Sequence, residues 1–184
     1  MAQVEILRHP TDEDWQRCKL LALNTIGKRN ASGTVSDDWK RKMLRSEHSP
    51  IRTLMFTIRM EVPYWVSVHF CRHKFGVEHY VTSQRNDRQS LYDRNAAPQD
   101  AMVTHIMDVN AAELMQMARM RLCSQAAFET QMVMKMIVSE VLETNPEFSG
   151  VLVPKCLAHN GCNEFKPCGY DSGKEGQQCA SPTD

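Results

Sequence analysis

The alternation of apolar and polar residues predicts two helices near the start of the chain. Thr11 precedes three consecutive acidic residues, which is the pattern of a capped helix start, and apolar residues follow at helical spacing to about Ile26. Ser36 precedes two aspartates and repeats this pattern, so a second, short helix is predicted to run through Leu44.

The stretch TLMFTIRMEVP, residues 53–63, has the different period of a strand. Apolar and polar residues alternate along it, which places the two kinds on opposite faces of a pleated chain. The apolar positions are Phe56, Ile58, Met60 and Val62, and the polar ones are Thr57, Arg59 and Glu61. We therefore predict a half-buried strand that ends at Pro63, and a short helix that begins there because proline suits a first helical turn.

The segment from about Asp108 to Glu143 is predicted to be one or two long helices. It is rich in alanine, methionine, leucine, glutamine and glutamate, and it contains no glycine or proline. The helical spacing of four apolar residues predicts a buried stripe, formed by Phe128, Met132, Met136 and Val141. After Asn145 and Pro146 this periodicity is lost.

Length and composition fit one α/β domain with a short tail. The chain has 184 residues, of which 42% are hydrophobic, and we assign residues 1–150 to the domain and residues 151–184 to a cysteine-rich tail whose end is expected to be disordered. No apolar run is long enough to cross a bilayer, and the N-terminus has no charged leader followed by an apolar block. Seven cysteines without such a leader indicate reduced thiols, so a cytoplasmic protein is expected.

The chain is neutral as a whole but carries one cationic segment. Its 22 basic and 22 acidic residues argue against a general nucleic-acid or membrane binder. The stretch RHKFGVEHYVTSQRNDR, residues 72–88, nevertheless concentrates Arg72, Lys74, Arg85 and Arg88 beside hydroxyl groups. Such an arrangement suits phosphate or carboxylate, because each planar guanidinium donates two parallel hydrogen bonds. The alternative is an exposed, salt-bridged surface turn.

The stretch HSPIRTLMFTIRMEVPYWVSVHFCRHK, residues 48–74, resembles the region around the signature of the flavin-dependent thymidylate synthases. Ser49-Pro50 matches the first element of that region, and Arg72-His73-Lys74 stands in place of an Arg-His-Arg motif. Ser83-Gln84-Arg85 gives the family's Ser-x-Arg pattern if one residue is inserted. Further positions can be laid on the second half of the family pattern, namely Arg94, Pro98, Asn110, Gln116, Arg121 and Glu129.

This resemblance covers roughly residues 45–130 and implies an α/β (α+β) fold with a central, mostly antiparallel sheet flanked by long helices. It also implies a homotetramer whose active site combines elements of different subunits. The implied reaction is the reductive methylation of dUMP to dTMP, with methylenetetrahydrofolate as one-carbon donor, FAD as cofactor and NADPH as reductant. This chemistry needs no cysteine nucleophile, which fits the interpretation of Cys71 and Cys123 as small buried residues.

The resemblance further implies which residues form the site. Arg121 would bind the pyrimidine edge and favour negative charge at N3 and O4, which makes it the expected catalytic residue. The substrate dUMP is expected to contact His69, Arg72, Ser83, Gln84, Arg85, Arg94 and Arg121. The cofactor FAD is expected to contact Ser49, Arg72, His73, Lys74, Asn110 and Gln116.

Several positions depart from the family pattern and leave alternatives open. Lys74 replaces an arginine, His69 a glutamine, Ala112 an arginine and Gln125 a histidine. Because these changes concern the flavin contacts most, an enzyme of the same fold that modifies a pyrimidine nucleotide differently, for example by hydroxymethylation, is the first alternative. A non-catalytic module that binds zinc and nucleic acid is the second, and the neutral charge argues against it.

The cysteine-rich tail suggests a separate, structural zinc site. Thiolates and an imidazole are ligands that zinc prefers, and the tail supplies Cys156, His159, Cys162 and Cys168, with Cys179 further on. The spacing lacks the close Cys-x-x-Cys pair of common zinc folds, so free thiols in a loose tail are the alternative.

Overall fold

A four-stranded antiparallel sheet with helices packed against it forms the centre of the molecule, as a computed structural model of residues 2–29, 33–89 and 93–168 shows. The strands are β1 (Gln3–Arg8), β2 (Met55–Pro63), β3 (Val77–Val81) and β4 (Met102–Asn110), in the sheet order β1-β2-β4-β3. The helices are α1 (Asp12–Asn24), α2 (Asp37–Arg45), α3 (Tyr64–Phe70), α4 (Ala111–Arg121), α5 (Phe128–Thr144) and α6 (Lys155–Ala158). The predicted α+β class with an antiparallel sheet is confirmed.

The two central strands, β2 and β4, pair along their whole length, from Met55 opposite Asn110 to Pro63 opposite Met102. The predicted alternation of β2 is confirmed, because its four apolar side chains are all buried in the core. On the other face of the sheet, Thr57 donates a hydrogen bond to Asp108 at 2.7 Å. The sheet therefore has one face in the core and one polar face, as is common for antiparallel sheets.

The predicted start signals of the first three helices are confirmed. Thr11 caps α1 in a reciprocal capping box with Asp14, and Ser36 accepts a hydrogen bond from the backbone of Trp39 at the start of α2. Pro63 ends β2 and directly precedes α3. Within the described residues, no helix is both long and apolar enough to span a bilayer.

The predicted helical segment that starts at Asp108 is corrected at its beginning. Asp108 and the two residues after it complete strand β4, and the helices are α4 and α5. Strand pairing overrides helix propensity here, because β4 lies between β2 and β3 and satisfies its backbone groups on both sides. Strands β1, β3 and β4 were not predicted.

The predicted buried stripe of α5 is also wrong, except at its last member. Phe128 is 65% exposed and Met132 is 41% exposed, and Met136 is only partly buried. The buried positions are Thr130, Val133, Met134, Ile137 and Val141. These residues follow the same helical spacing but lie on a neighbouring face, which is the face that α5 turns towards the rest of the protein.

Packed structure continues past residue 150 into the segment assigned to the tail. Val151 and Leu152 belong to the hydrophobic core, and Cys156 of α6 is buried. The end of the tail, for which disorder is predicted, lies outside the described residues.

A buried carboxylate joins the start of α1 to the end of α5. Glu147 accepts a hydrogen bond from the indole Nε1–H of Trp15 at 2.8 Å and one from the Asn145 side-chain amide at 3.1 Å. The Asn145 amide also donates to the backbone carbonyl of Pro10 at 3.0 Å. Two segments that are far apart in the sequence are thus held together by one polar group within the core.

We expect Glu147→Ala to lower the free energy of unfolding by about 2 to 4 kcal/mol, because the buried N–H donors of Trp15 and Asn145 lose their acceptor. Urea denaturation measures the change. Glu143→Ala, at an exposed position of α5, is the control and should change stability by no more than about 0.5 kcal/mol. Equal effects of the two substitutions would show that Glu147 has no special structural role.

Candidate active site

Helices α3 and α4 bring His69, His73 and Arg121 together. Helix α3 ends at Phe70, and the turn after it is closed by a hydrogen bond from the His73 backbone N–H to the Phe70 carbonyl. Arg121 is the last residue of α4. Its Nε donates to Nε2 of His73 at 3.1 Å, and its Nη2 donates to the backbone carbonyl of His69 at 2.6 Å. The guanidinium plane is therefore fixed by two bonds to the α3 segment.

Glu113 completes this arrangement on the other side of His73. Its Oε1 lies 2.8 Å from Nδ1 of His73, which is only 9% exposed. Because the Arg121 Nε–H can only donate, Nε2 of His73 accepts, and the proton of the neutral ring is on Nδ1 and is donated to Glu113. Glu113, His73 and Arg121, here called the Arg121 relay, thus form a continuous hydrogen-bonded chain.

Arg72 adds a second positive charge close to Arg121. Burial lowers the pKa of Arg121, and the nearby positive charge of Arg72 lowers it further. The pKa of His69 is also lowered, first by burial and then by Arg121 and Arg72, so this ring is neutral at pH 7. Its Nδ1 lies 2.9 Å from the hydroxyl oxygen of Thr130. The two arginines lie beside a neutral imidazole and can attract an anion, while the negative charge of Glu113 lies on the far side of His73.

A cleft of about 390 Å³ opens beside the relay at the start of α4. Its lining includes Asn110 and Gln116, two of the predicted FAD contacts, together with Glu113. The remaining lining residues are Glu47, Arg52, Phe75, Gly76, Ala112 and Arg119. The ring of Phe75 is 86% exposed and is available to pack against a ligand.

Asn110 has a structural role in this cleft that the sequence analysis did not predict. Its side-chain oxygen accepts a hydrogen bond from the Glu113 backbone N–H at 2.9 Å and so caps α4. Its own backbone N–H donates to the carbonyl of Gly76 at 2.8 Å. Gly76 has a φ of +74°, and a Cβ at this position would lie 2.2 Å from the Asn110 side-chain nitrogen. Only glycine fits this approach without displacing the cap.

The predicted phosphate-binding residues lie in a different part of the chain, after β3. Arg85 donates two hydrogen bonds, at 2.9 and 2.6 Å, to the carboxylate of Asp87, and both side chains are exposed. The Arg85 backbone N–H lies 3.3 Å from the Ser83 hydroxyl oxygen. Arg94 is also exposed, and its backbone N–H donates to the Asn86 side chain at 3.3 Å. Within the described residues, no hydrogen bond or ion pair connects Arg85 to Arg121.

Three further predicted contacts are exposed or partly exposed in the structure. Lys74 is exposed next to the cleft residue Phe75. Ser49 is exposed at the start of a short 3₁₀ turn, Ser49–Thr53, whose Arg52 lines the cleft in its place. Gln84 is partly buried.

The three cysteines and the histidine of the predicted tail zinc site, Cys156, His159, Cys162 and Cys168, do not form a metal-binding group within the described residues. Cys156 and Cys168 instead lie near Cys123. Burial is the largest cause that raises the pKa of the Cys123 thiol, and the neighbouring Glu164, Cys156 and Cys168 raise it further. Cys179 lies outside the described residues. Zinc binding by the tail stays a prediction.

Sequence reasoning missed Glu113, Arg52, Phe75 and Gly76. For Glu113 a signal was present, because it stands three residues after the cap residue Asn110, where an acid commonly supports a helix start. Its bond to His73 joins residues 40 positions apart and has no counterpart in the local pattern.

We expect Gly76→Ala to disturb the start of α4 and thereby the position of Glu113. Gly150→Ala is the matched control, because Gly150 has a similar φ of +80° but no atom within 4 Å of a built Cβ. Both variants carry the strain of a left-handed backbone, about 1 to 2 kcal/mol. Gly76→Ala should lose about 1 to 2 kcal/mol more, since the cap is displaced as well. Thermal unfolding of both variants measures this, and equal losses would contradict the role of the cap.

Comparisons with known proteins establish the fold of this chain. No family model matches it, and no curated protein matches it. Among solved structures it is similar to that of a UMP/dUMP methylase, PolB from Streptomyces cacaoi, bound with 5-Br dUMP. The TM-score is 0.63 and the sequence identity is 14%, over 83% of this chain and 97% of that chain. At this identity the likeness shows a shared α+β fold and leaves the activity of this chain to be argued from its own residues.

Proposed function

We propose that this protein is an enzyme that modifies a pyrimidine nucleotide, and specifically that it methylates dUMP in the manner of a flavin-dependent thymidylate synthase. The observation that carries the proposal is the Arg121 relay, which holds a partly buried guanidinium in one orientation beside Arg72. The shared fold with a UMP/dUMP methylase supports the wider class, and the sequence resemblance supports the specific reaction.

Arg121 has the properties that the chemistry of uracil requires. Carbon 5 of the ring becomes nucleophilic only if negative charge at N3 and O4 is stabilised. Within the described residues, the hydrogen bonds of Arg121 use Nε and Nη2, which leaves the two N–H donors of Nη1 for the pyrimidine edge. Because His73 and Glu113 orient the guanidinium in advance, little reorganisation is needed when the charge develops.

The phosphate is assigned to Ser83 and Arg85. A hydroxyl and a guanidinium fork are suitable donors to a dianionic phosphate. The Arg85 guanidinium is paired with the carboxylate of Asp87, two residues further on. Because both side chains are exposed, this ion pair is weak and a phosphate can replace the carboxylate. Arg94 lies on the neighbouring loop segment and adds a second cation.

Self-association is part of the proposal, because the described part of one chain shows no hydrogen bond or ion pair between Arg121 and the residues assigned to the phosphate, Ser83 and Arg85. The resemblance implies a homotetramer in which different subunits contribute to one site. In that arrangement, Ser83 and Arg85 of one subunit would face Arg121 of another. The same assembly would bring the exposed residues Arg72 and Lys74 to a shared ligand.

The residues of the cleft fit a flavin nucleotide. Arg52 and Arg119 can bind phosphate, although Arg119 is also paired with Glu47. Asn110 and Gln116 provide amide groups, and the exposed ring of Phe75 can pack on an aromatic system. The cleft volume lies within the usual range of small-molecule sites, about 300 to 1,000 Å³. When bound, FAD would supply the hydride that reduces the transferred one-carbon unit, and these residues would bind and orient it.

We expect the oligomer to bind FAD, and Arg72→Ala to weaken this binding at least about tenfold, which corresponds to one charge-assisted hydrogen bond. Flavin fluorescence quenching measures the affinity, and circular dichroism verifies the fold. Arg17→Ala, at an exposed position of α1, is the control and should bind FAD normally. A folded oligomer that binds no FAD would remove the flavin-dependent reaction from consideration.

We expect Arg85→Ala and Arg121→Ala to affect dUMP methylation in different ways. Arg85 binds a phosphate that is the same in the ground state and the transition state, so its loss should raise KM about 10- to 100-fold and change kcat less. Arg121 acts on charge that appears during the reaction, so its loss should lower kcat about 100- to 1,000-fold. Steady-state kinetics with dUMP, methylenetetrahydrofolate and NADPH measure both effects, and mass spectrometry of the product distinguishes methyl from hydroxymethyl.

Mixing the two impaired variants, at a dUMP concentration well below the raised KM of Arg85→Ala, tests the shared site directly. If Arg85 and Arg121 of different subunits complete one site, mixed oligomers contain some sites with both arginines intact, and activity returns. Identical kinetic effects of the two substitutions would contradict the division of roles. Two fully active variants would show that these arginines are surface residues without a role in the reaction.

A further inference from the structure

Three potential metal ligands, none of which lines the cleft, meet on the core side of the sheet. Cys71 follows the last residue of α3, His79 lies on β3, and His105 lies on β4. One donor atom from each lies within 4.8 Å of the other two. We propose that Cys71, His79 and His105 bind a zinc-like divalent metal ion, at a site whose ligands take no part in the proposed nucleotide chemistry.

Strand register brings the two histidines together. On β3 and β4, His105 pairs with Val81 and His79 pairs with Met107. Residues two apart on a strand share a face, so His79 and His105 are diagonal neighbours that point to the same side of the sheet. Their facing nitrogens, Nδ1 of His79 and Nε2 of His105, are 2.9 Å apart.

The nitrogen of each ring that points away from this contact already has a partner. Nε2 of His79 lies 2.9 Å from the backbone carbonyl of His73, which can only accept a hydrogen bond. Nδ1 of His105 lies 3.1 Å from the Ser67 hydroxyl oxygen. Metal-binding histidines are held in this way, with the second nitrogen donating to a carbonyl or hydroxyl group while the first binds the metal. Because the His73 carbonyl can only accept, the proton of the His79 ring is on Nε2, and Nδ1 is the nitrogen whose lone pair can bind a metal ion.

The protons can be assigned in both states of the site. Without metal, His79 donates through Nε2 to the His73 carbonyl, His105 donates through Nε2 to Nδ1 of His79, and Ser67 donates to Nδ1 of His105. With metal bound, the proton of His105 moves to Nδ1 and is donated to the Ser67 oxygen, which frees Nε2. Cys71 binds as a thiolate, and its proton leaves to solvent. One proton is released for each metal ion bound.

The ligand set and its access both favour zinc. One thiolate and two imidazoles are typical zinc ligands, with bond lengths of about 2.3 Å to sulfur and about 2.0 Å to nitrogen. Tetrahedral binding then places the donor atoms about 3.3 to 3.6 Å apart. The two nitrogens would separate slightly and the sulfur would move closer. Cys71 and His79 are partly exposed, so an ion can enter and the fourth position can hold water.

Cobalt(II) titration of the metal-free protein tests the site, because Co²⁺ replaces Zn²⁺ and gives a thiolate-to-cobalt absorption band. We expect one equivalent of Co²⁺ to bind with this band and to be displaced by Zn²⁺. Cys71→Ser should abolish the band. His79→Gln should weaken Co²⁺ binding at least about 100-fold, and Ser67→Ala about 10- to 100-fold, since Ser67 positions the His105 ring.

The double substitution Cys162→Ser and Cys168→Ser is the control, because it removes tail thiols and leaves the proposed site intact. This variant should keep the band. A band that survives Cys71→Ser, or that is lost in the tail variant, would assign the metal to other cysteines and overturn the proposal. Absence of the band in the folded wild-type protein would overturn it as well. If Cys71→Ser does not fold by circular dichroism, the Co²⁺ affinity of His79→Gln decides the question.

Discussion

Asn110 ends strand β4 and caps helix α4, and backbone hydrogen bonds attach this junction to the rest of the molecule on two sides. Its own N–H donates to the carbonyl of Gly76, just before β3, and the next N–H, of Ala111, donates to the carbonyl of Leu54, just before β2. The Asn110 side chain then caps α4 through Glu113. The direction of α4 relative to the sheet, and with it the positions of Glu113 and Arg121, depends on this junction.

His73 connects the two polar clusters that lie beside the core. Its ring joins Glu113 to Arg121, and its backbone carbonyl accepts a hydrogen bond from His79. Burying a polar group costs folding free energy unless its hydrogen bonds are satisfied. Here each side chain of the hydrogen-bonded series is a partner of the next one. The turn after α3 is therefore fixed from both sides. This rigidity is what a site needs if charge is to be stabilised without reorganisation.

Local patterns predicted those elements whose signals are complete within a few residues. The caps at Thr11 and Ser36 and the alternation of β2 are of this kind, because the residues that determine them are neighbours in sequence. Strand β4 was missed because its apolar face is interrupted by His105, which is fully buried and whose pKa burial lowers to about 4. Its last residues also share the composition of the helices that follow. The face of α5 that is buried was misjudged, since several faces of this helix carry methionines and only packing selects one.

Sequence patterns alone were enough to predict the start of the first three helices, and the resemblance predicted the α+β class and a role for Arg121, Asn110 and Gln116. These conclusions rest on residue types and spacings that are visible along the chain. That Glu113 and His73 orient Arg121, that Gly76 must accommodate the Asn110 side chain, and that Cys71, His79 and His105 meet became visible only in three dimensions. Each of these contacts joins residues on different elements, and their distances depend on strand register and helix direction, which no local pattern specifies.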